Sequence, residues 1–176
     1  NIHVPLRPIH RLDEDTTGLV LYSKVPLLQP WFDDQLAQKK IAREYLAIVT
    51  GKPIPVGKKF TCNRRLGKDR HHAGMYRVSS TGKEASTHFE CLAQKDGFML
   101  IRCKLETGRT HQIRVHLSYL GYPIVNDPLY GHPSHKFQNM GLWADTLTFH
   151  DPFSNKKHQI HDFERSDYTF FNKAGM

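Results

Sequence analysis

The sequence predicts an α+β domain in which helices flank a large, mostly antiparallel β-sheet. Three observations lead to this prediction: hairpin-linked strand patterns are numerous, helical periodicity is confined to two segments, and no repeat or linker divides the chain. A chain of 176 residues usually forms one domain. Such a domain buries about 70% of the surface that its unfolded state exposes. We therefore expect a single domain over residues 1–176.

The first predicted elements are a short buried strand at Leu19–Tyr22 and a helix at Trp31–Lys40. Pro26 and Pro30 are expected to break the chain after the strand, because proline fixes φ and lacks an amide hydrogen. The helix is indicated by apolar residues at helical spacing and by lysines in its last turn. Those apolar residues are Phe32, Leu36 and Ala37.

A second strand is predicted at Glu44–Thr50, where apolar side chains alternate between the two faces of the strand. One set is Tyr45, Ala47 and Val49, and the other is Leu46 and Ile48. Residues 58–83 hold many basic and few apolar side chains, so we expect an extended excursion with short strands at most. The basic residues are Lys58, Lys59, Arg64, Arg65, Lys68, Arg70, Arg77 and Lys83.

The second half of the chain contains the clearest hairpin signal. Alternating patterns at Ala85–Ala93 and Phe98–Leu105 flank residues 95–97, Lys-Asp-Gly, which are typical of a hairpin turn. A helix is predicted at Thr110–Leu120 and ends before Gly121. Its apolar stripe is Ile113, Leu117 and Leu120. The last two predicted strands are Leu142–Phe149 and His158–Phe163.

The charge balance concerns the partners of the protein and not its fold. The chain has 25 Lys and Arg against 17 Asp and Glu, which gives a formal net charge of +8. Nucleic acid is the commonest polyanion that explains such a charge, although many basic proteins bind none. The hydrophobic fraction of 39% argues against disorder. No apolar run approaches the ~18 residues of a membrane helix, so we expect no membrane partner.

Cysteines and histidines give little support for a disulfide framework or a metal site. The three cysteines are Cys62, Cys91 and Cys103, an odd number without a CxxC motif. They suit buried thiols in a reducing compartment, so we expect a cytoplasmic protein. We also expect the protein to be a monomer. Two histidine pairs have spacings that suit a metal, His132 with His135 and His158 with His161. No cysteine or carboxylate cluster accompanies them, so we expect no metal site.

The first candidate site is the stretch HRLDEDTTGLVLYSK, residues 10–24. It places Arg11 and Asp13 directly before a turn of small residues, Thr16-Thr17-Gly18, and an apolar run. This order fits a catalytic carboxylate beside a basic residue, and it equally fits an ordinary turn before a strand. Asp15 would complete a carboxylate pair with Asp13, as in a sugar hydrolase. An i,i+2 pair in an irregular turn need not converge, so we interpret Asp15 as structural.

The second candidate site is the stretch LETGRTHQIRVHLSYLGYPIVNDPLYG, residues 105–131. It places Arg109 in a turn and residues 110–112, Thr-His-Gln, in the first turn of a helix, with Arg114 further along. Basic and amide donors at a helix N-terminus can bind phosphate. A capped amphipathic helix with solvated arginines explains the same pattern.

Three stretches together resemble, in order and spacing, the blocks of the RluA-type pseudouridine synthases. They are HRLDEDTTGLVLYSK, REYLAIVTGKP and TGRTHQIRVHLSYLGYPIVNDPLYG. The resemblance covers residues 8 to about 150 and implies a pseudouridine-synthase-like fold with a bent sheet and a central RNA-binding cleft. It also implies isomerisation of uridine to pseudouridine in structured RNA, either rRNA or tRNA, without metal or cofactor.

The resemblance assigns a role to each matching residue. Asp13 corresponds to the catalytic carboxylate and Arg114 to its basic partner. Tyr45 corresponds to the active-site tyrosine, which stacks on the base and is a candidate to take the proton from C5. Arg11 resembles the residue that helps to displace the target base from the RNA. The block expected to line the cleft and meet the RNA backbone is Arg109, Thr110, His111 and Gln112.

The chain departs from the family pattern at two positions and at its start. Thr17 replaces a serine and keeps the hydroxyl, and Asn126 replaces a glycine, which Asn can imitate in the left-handed region. The family has a strand-rich block upstream of HRLD, so we expect the domain to lack an N-terminal piece. A non-catalytic RNA-binding module with the same fold is the alternative function.

Overall fold

A computed structural model describes residues 6–162 together with Phe170 and Phe171. The strands in that part of the chain are β1 (Arg7–Pro8), β2 (Thr17–Gly18), β3 (Tyr22–Ser23), β4 (Ala42–Val49), β5 (Lys59–Cys62), β6 (Leu66–Lys68), β7 (Tyr76–Val78), β8 (Thr87–Lys95), β9 (Phe98–Leu105), β10 (Leu142–His150) and β11 (Lys157–His161). The α-helices are α1 (Gln29–Ala37) and α2 (Gln112–Tyr119), and a 3₁₀ turn (Pro26–Leu28) precedes α1. Neither of these helices has the length and apolar character that a membrane span requires.

Seven strands form the central sheet. Six lie in the order β11-β10-β4-β9-β8-β5, and β2 pairs with β10 outside that path. Every neighbouring pair is antiparallel except β2 with β10, which run parallel. Two smaller sheets join β1 to β3 and β6 to β7. The predicted α+β class, with its large and mostly antiparallel sheet, is therefore confirmed.

Strand β4 separates the two largest hydrophobic cores, as its alternation predicts. One core receives Tyr45, Ala47 and Val49 from β4, and the other receives Leu46 and Ile48. Ile113 and Leu117 of α2 pack in the first core, so the predicted apolar stripe of this helix is confirmed. Helix α2 therefore lies on the same side of the sheet as Tyr45.

The turn between β8 and β9 forms as its residues predict. Lys95 pairs with Phe98, and the two residues between them, Asp96 and Gly97, both have positive φ. A two-residue turn of the primed type needs positive φ at both central positions. Helix α2 ends at Tyr119, one residue before the predicted end, and Gly121 lies just beyond its last turn with a φ of +83°.

The predicted strand Leu19–Tyr22 is displaced. The residues that pair are Thr17 and Gly18 before it, in β2, and Tyr22 and Ser23 at its end, in β3. The leucines between them are half-buried and pack beside α1 rather than in a strand. Both strands have only two residues, so a partner elsewhere in the chain, and not a local pattern, decides where they form.

Helix α1 begins and ends earlier than predicted. It spans Gln29–Ala37 instead of Trp31–Lys40, and Pro30 lies within its first turn rather than breaking the chain. Proline is tolerated there because the first amides of a helix have no partner within the helix. The predicted lysines follow the helix, since Lys39 has a φ of +59°.

The remaining boundaries differ by a few residues. Strand β8 starts and ends two residues later than predicted, and α2 starts two residues later because His111 has a left-handed φ of +55°. Strand β11 ends at His161. Phe163, the last residue of the predicted strand, lies outside the described residues.

Residues 58–83 form the predicted excursion with short strands. Strand β5 adds to the edge of the central sheet through β8, and β6 and β7 form a separate hairpin. Leu66 of β6 packs with Val115 of α2, and Tyr76 and Val78 of β7 join the same small core. The hairpin therefore lies beside the helix that carries Arg114.

Candidate active site

A cavity of about 730 Å³ lies between the N-terminal loop, β4 and the start of α2. Side chains from all three parts of the chain line it, although they are far apart in sequence. The predicted site residues in its lining are Arg11, Asp13, Tyr45, Arg109, Thr110, Gln112 and Arg114. His111 is the one predicted site residue that does not line this cavity.

The loop that carries Asp13 is anchored to β10. The amide of Thr16 donates to the carbonyl of Asp13 at 3.0 Å, which closes a turn. Gly18 has a φ of +108°, and a Cβ there would overlap the backbone of Ala144. The amide of Leu19 donates to the carbonyl of Ala144 at 3.0 Å. The small-residue turn after Asp13 is therefore needed because the loop meets the backbone of β10 directly.

Arg114 lies at the base of the cleft and faces two carboxylates. Its Nη1 is 3.9 Å from Oδ2 of Asp13, so the predicted pair is present as a long contact. Its Nε and Nη2 donate to the two oxygens of Asp127 at 2.8 and 2.7 Å, with both side chains buried. Burial alone would lower the pKa of Arg114, but Asp127 and Asp13 raise it above its ordinary value.

Asp127 is a further residue of the site, to which the sequence reasoning gave no role. Besides Arg114, its Oδ1 accepts hydrogen bonds from the amides of Leu129 and Tyr130 at 2.9 and 3.1 Å. The ring of Tyr130 lies under the guanidinium, 5.2 Å from its central carbon. Asn126 takes the left-handed conformation, with a φ of +57°, that its place in the loop requires. The Asn-Asp-Pro sequence was the available signal, since it indicates a structured turn.

Tyr45 projects from β4 into the cleft. It is largely buried and lines the same cavity as Asp13 and Arg114. Burial raises the pKa of its phenol, an effect that Arg43 opposes and Asp13 reinforces. Tyr45 therefore presents a neutral aromatic ring to whatever occupies the cleft.

Gln112 is buried, and its amide is fully hydrogen-bonded inside the protein. Its Oε1 accepts from the hydroxyl of Thr107 at 2.7 Å and from the amide of Arg109 at 3.0 Å. Its Nε2 donates to the carbonyl of Ser86 at 3.0 Å and to the hydroxyl of Thr87 at 2.9 Å. These four bonds use the full capacity of a side-chain amide. Gln112 therefore has no free donor or acceptor for the predicted contact with RNA. Its hydrogen bonds instead order the turn that carries Arg109.

A buried polar path continues from Gln112 to the basic excursion. The hydroxyl of Thr87 meets Nδ1 of His116 at 2.9 Å, and Nε2 of His116 meets the carbonyl of Arg64 at 2.9 Å. A carbonyl can only accept, so Nε2 carries the hydrogen and Nδ1 accepts from Thr87. Burial lowers the pKa of His116, which agrees with this neutral form.

The other predicted site residues occupy the rim. Arg11, Arg109 and Thr110 are exposed, and Nε of Arg109 donates to the carbonyl of Glu84 at 2.8 Å. His111 is half-buried and does not line the cavity, and its Nδ1 lies 2.9 Å from the hydroxyl of Tyr130. Burial, assisted by Arg114, lowers the pKa of His111.

The cleft also contains a buried histidine that the predicted site omits. His10 lines the cavity, and its Nε2 accepts a hydrogen bond from the amide of Leu21 at 3.3 Å. Burial and the charge of Arg43 lower its pKa to about 4. Within the described residues, no group of three or more His, Cys, Asp or Glu side chains is arranged to hold a metal ion.

Comparison with known sequences identifies similar proteins. A family model described as RNA pseudouridylate synthase matches residues 3–119. The chain is 41% identical over 153 residues to the uncharacterized RNA pseudouridine synthase YhcT of Bacillus subtilis, which covers 86% of the chain and 50% of that protein. It is 42% identical over 126 residues to ribosomal large subunit pseudouridine synthase D of Nitrosomonas europaea, covering 72% of the chain and 36% of that protein. The chain spans about half or less of the length of these curated relatives.

Comparison with solved structures supports the fold. The human RNA pseudouridylate synthase domain containing 1 superimposes with a TM-score of 0.76 at 24% identity, over 90% of this chain and 69% of that one. The human RNA pseudouridylate synthase domain containing 4 gives a TM-score of 0.74 at 20% identity, over 94% and 74%. The expected pseudouridine-synthase-like fold is therefore confirmed.

Proposed function

The chain belongs to the RNA pseudouridylate synthase family, and from that premise we propose that it isomerises specific uridines in structured RNA to pseudouridine. Asp13 is the catalytic carboxylate, and the reaction uses no cofactor. Uridine and pseudouridine are isomers, so no electron or chemical group is gained or lost overall. The substrate is ribosomal or transfer RNA, and relatives named for the large ribosomal subunit support the first of these.

One observation carries this function. Asp13, Tyr45 and Arg114 come from a loop, a strand and a helix that are distant in sequence, yet they line one cavity. A carboxylate, an aromatic ring and a cation are the groups that the reaction needs, and the carboxylate remains 24% exposed to the cleft. This arrangement supports the assignment of Asp13 over a purely structural turn residue.

Asp13 would act on the sugar carbon C1′ of the target uridine. It either forms a bond to C1′ or stabilises the positive charge that develops there, as carboxylates do in glycosidases. The electron pair of the broken N1–C1′ bond leaves with the uracil. The uracil turns and its C5 forms a bond to C1′, and any bond between C1′ and Asp13 breaks in this step with its electron pair returning to the carboxylate. C5 then loses its proton while N1 gains one. Atoms and charge balance without a further reactant.

Tyr45 would stack on the target base, and Arg11 would help to displace that base from the RNA. Taking a base out of a stack costs a few kcal/mol. Stacking on an aromatic side chain returns about 1–3 kcal/mol per base. The neutral, buried ring of Tyr45 is suited to this role, because an uncharged uracil does not require a charged partner.

The cleft rim and the basic excursion would bind the RNA backbone. Arg11, Arg109 and Thr110 are the rim residues of this proposal, and His111 follows Thr110 directly in the chain. Residues 58–83 contain eight Lys and Arg but only one Asp, so they hold most of the net positive charge of the chain. Tyr76 of this segment lines the cavity, which puts the basic excursion beside the cleft. RNA affinity should fall linearly on a log–log salt plot, by about 0.7–0.9 per neutralised phosphate.

Release of tritium from RNA labelled at C5 of uridine tests the function, because the proton at C5 is lost only when the new bond forms. The parent chain should release tritium from ribosomal or transfer RNA. RNA binding without tritium release would instead assign the chain as a non-catalytic binding module. Mapping of pseudouridines in RNA from cells that lack the protein would then identify the target uridine.

We also propose a cytoplasmic, monomeric protein. Cys62, Cys91 and Cys103 are free and buried, which suits a reducing compartment. Microscopy of a tagged protein and light scattering of the purified chain test the location and the oligomeric state.

A further inference from the structure

Arg43 is a cleft arginine with no part in the reaction proposed for Asp13, Tyr45 and Arg114. It precedes Tyr45 by two residues on β4, so the two side chains leave the same face of the strand. Arg43 lines the cavity together with Asp13 and Tyr45. Its charge acts on two buried neighbours, since it lowers the pKa of His10 and opposes the rise in the pKa of Tyr45.

The guanidinium of Arg43 packs against the turn before α2. A Cβ at Gly108 would lie 3.0 Å from Nη2 of Arg43, so a larger residue there would press on the guanidinium. Gly108 directly precedes Arg109, whose amide is fixed by Gln112 at 3.0 Å. Arg43 therefore lies against an ordered part of the rim and not in open solvent.

Arg43 and Arg114 differ in their anionic partners. Arg114 faces two carboxylates, at 2.7 Å and 3.9 Å. For Arg43, no ion pair with a carboxylate is present among the residues that the structure describes. A partly buried cation in a cleft is stabilised when an anion arrives, because burial weakens its hydration. The free guanidinium thus has capacity for an anionic group of the substrate.

We infer that Arg43 binds a phosphodiester next to the target uridine. The inference rests on the proposed function, because only a nucleotide drawn into the cleft brings its phosphate to this position. A guanidinium matches two phosphate oxygens at once, which an ammonium does not. The phosphate is the permanent anion of the nucleotide, whereas the uracil ring is neutral in the ground state and has Tyr45 as its stacking surface. Arg43 is therefore a binding residue that fixes the sugar over Asp13.

Mononucleotide binding isolates this contact. The parent chain and Arg43→Gln would be titrated with uridine 3′,5′-bisphosphate and with uridine, and followed by NMR. We expect the variant to bind the bisphosphate about tenfold more weakly, as is typical for a charge-assisted hydrogen bond, and to bind uridine like the parent. Uridine 3′-monophosphate and uridine 5′-monophosphate then show which of the two flanking phosphates is bound.

Two further variants control for net charge and for folding. Lys52→Gln removes the same charge from an exposed site outside the cleft and should leave both titrations unchanged. Arg43→Lys keeps the charge and most of the side chain, and should recover part of the affinity for the bisphosphate because only the paired hydrogen bonds are lost.

Equal weakening for uridine and the bisphosphate would overturn the inference, since Arg43 would then contact the base or support the fold. Unchanged binding of the bisphosphate, or its failure to bind the parent, would overturn it as well. Tritium release tests the proposed function separately. If the parent chain isomerises uridine but Arg43→Gln binds the bisphosphate as tightly as the parent, the role of Arg43 is refuted and the proposed function is not.

Discussion

The two carboxylates that face Arg114 differ in burial and in hydrogen bonding. The side chain of Asp127 is 0% exposed, accepts two charged hydrogen bonds from Arg114 and also binds two backbone amides. The side chain of Asp13 is 24% exposed and lies 3.9 Å from the guanidinium. In the described ranges, no hydrogen bond to the carboxylate of Asp13 is found, and Asp13 is carried by an irregular loop.

This difference separates the carboxylate that orients the arginine from the carboxylate that is available for chemistry. Asp127 has little capacity left for a substrate, because nearly all of its acceptor positions are occupied. Among the described residues, Asp13 keeps its oxygens free of hydrogen bonds, as its proposed role requires, and Arg114 is held in place beside it by Asp127. With Asp13 as its single partner, the same carboxylate would have to hold the guanidinium in place and also act on the substrate.

Asp13→Asn should have the largest effect on activity. The amide keeps the shape of the side chain but cannot attack C1′ or stabilise positive charge there, so tritium release should fall by at least about 10³-fold. RNA affinity should be unchanged or slightly raised, because a negative charge near phosphates is lost. Asp15→Asn, an exposed neighbour, is the matched control and should act like the parent. Turnover by Asp13→Asn near the parent rate would remove the catalytic assignment.

Asp127→Asn should have the largest effect on stability. It leaves the buried Arg114 without its charged partner, which typically costs about 3–5 kcal/mol of unfolding free energy. Asp13→Asn breaks only a long, partly solvated contact and should cost less than about 1 kcal/mol. Urea unfolding of the two variants measures the contrast. Equal losses of stability would show that the two carboxylates do not divide their tasks.

Gly18→Ala tests how the loop of Asp13 is anchored. The φ of +108° disfavours any side chain, and the new Cβ would overlap the backbone of Ala144, so we expect a cost of about 2–4 kcal/mol and reduced tritium release. Gly57 is the matched control, because its φ is +82° and a Cβ added there would have no other atom within 4 Å. Gly57→Ala should cost only about 1 kcal/mol and leave activity intact. Similar activities of the two variants would argue against the anchor.

Tyr45→Phe should reduce tritium release by no more than about tenfold, equivalent to about 1.4 kcal/mol. The ring, and therefore stacking on the base, survives. Burial raises the pKa of the phenol, which makes its hydroxyl a poor base for the C5 proton near neutral pH. A drop to the level of Asp13→Asn would instead show that the hydroxyl takes this proton.

Replacement of the buried cleft histidine, His10, should change the pH dependence of stability. The pKa of His10 is about 4 in the folded chain and 6.5 without burial, so between these values the unfolded chain binds more protons. The free energy of unfolding should therefore decrease as the pH falls from about 6.5 to 4. Urea unfolding of His10→Gln should show a weaker pH dependence in this window than unfolding of the exposed-site control His135→Gln. Identical pH profiles would contradict the burial of His10.

Much of the fold is encoded locally and could be read from the sequence. The alternation of β4, the turn between β8 and β9 and the apolar stripe of α2 depend on neighbouring residues only. The pairing of β2 with β10 depends on distant residues, because Thr17 pairs with Trp143, which lies far along the sequence. A strand of two residues has no periodicity, so its partner alone determines its place.

The site could be predicted only in part, because contacts between residues distant in sequence decide which side chains reach it. The resemblance selected Asp13, Tyr45 and Arg114, and the structure brings all three to one cavity. It assigned no role to Asp127, because the sequence pattern of an aspartate in a turn is the same whether the side chain caps the turn or binds a buried arginine. Gln112 was expected to face RNA, but a helix start can turn a polar residue inward when buried partners are present.

The path from Gln112 through Thr87 and His116 to the carbonyl of Arg64 also has a thermodynamic consequence. Each hydroxyl or ring nitrogen on it has one allowed donor or acceptor role, so the path has a single arrangement of hydrogens. The turn beside the cleft and the part of the basic excursion around Arg64 are therefore already ordered in the chain without a bound ligand. Immobilising a flexible side chain on binding costs about 0.5–1.5 kcal/mol of free energy. Because these side chains are already ordered in the folded chain, a ligand that binds here does not have to order them.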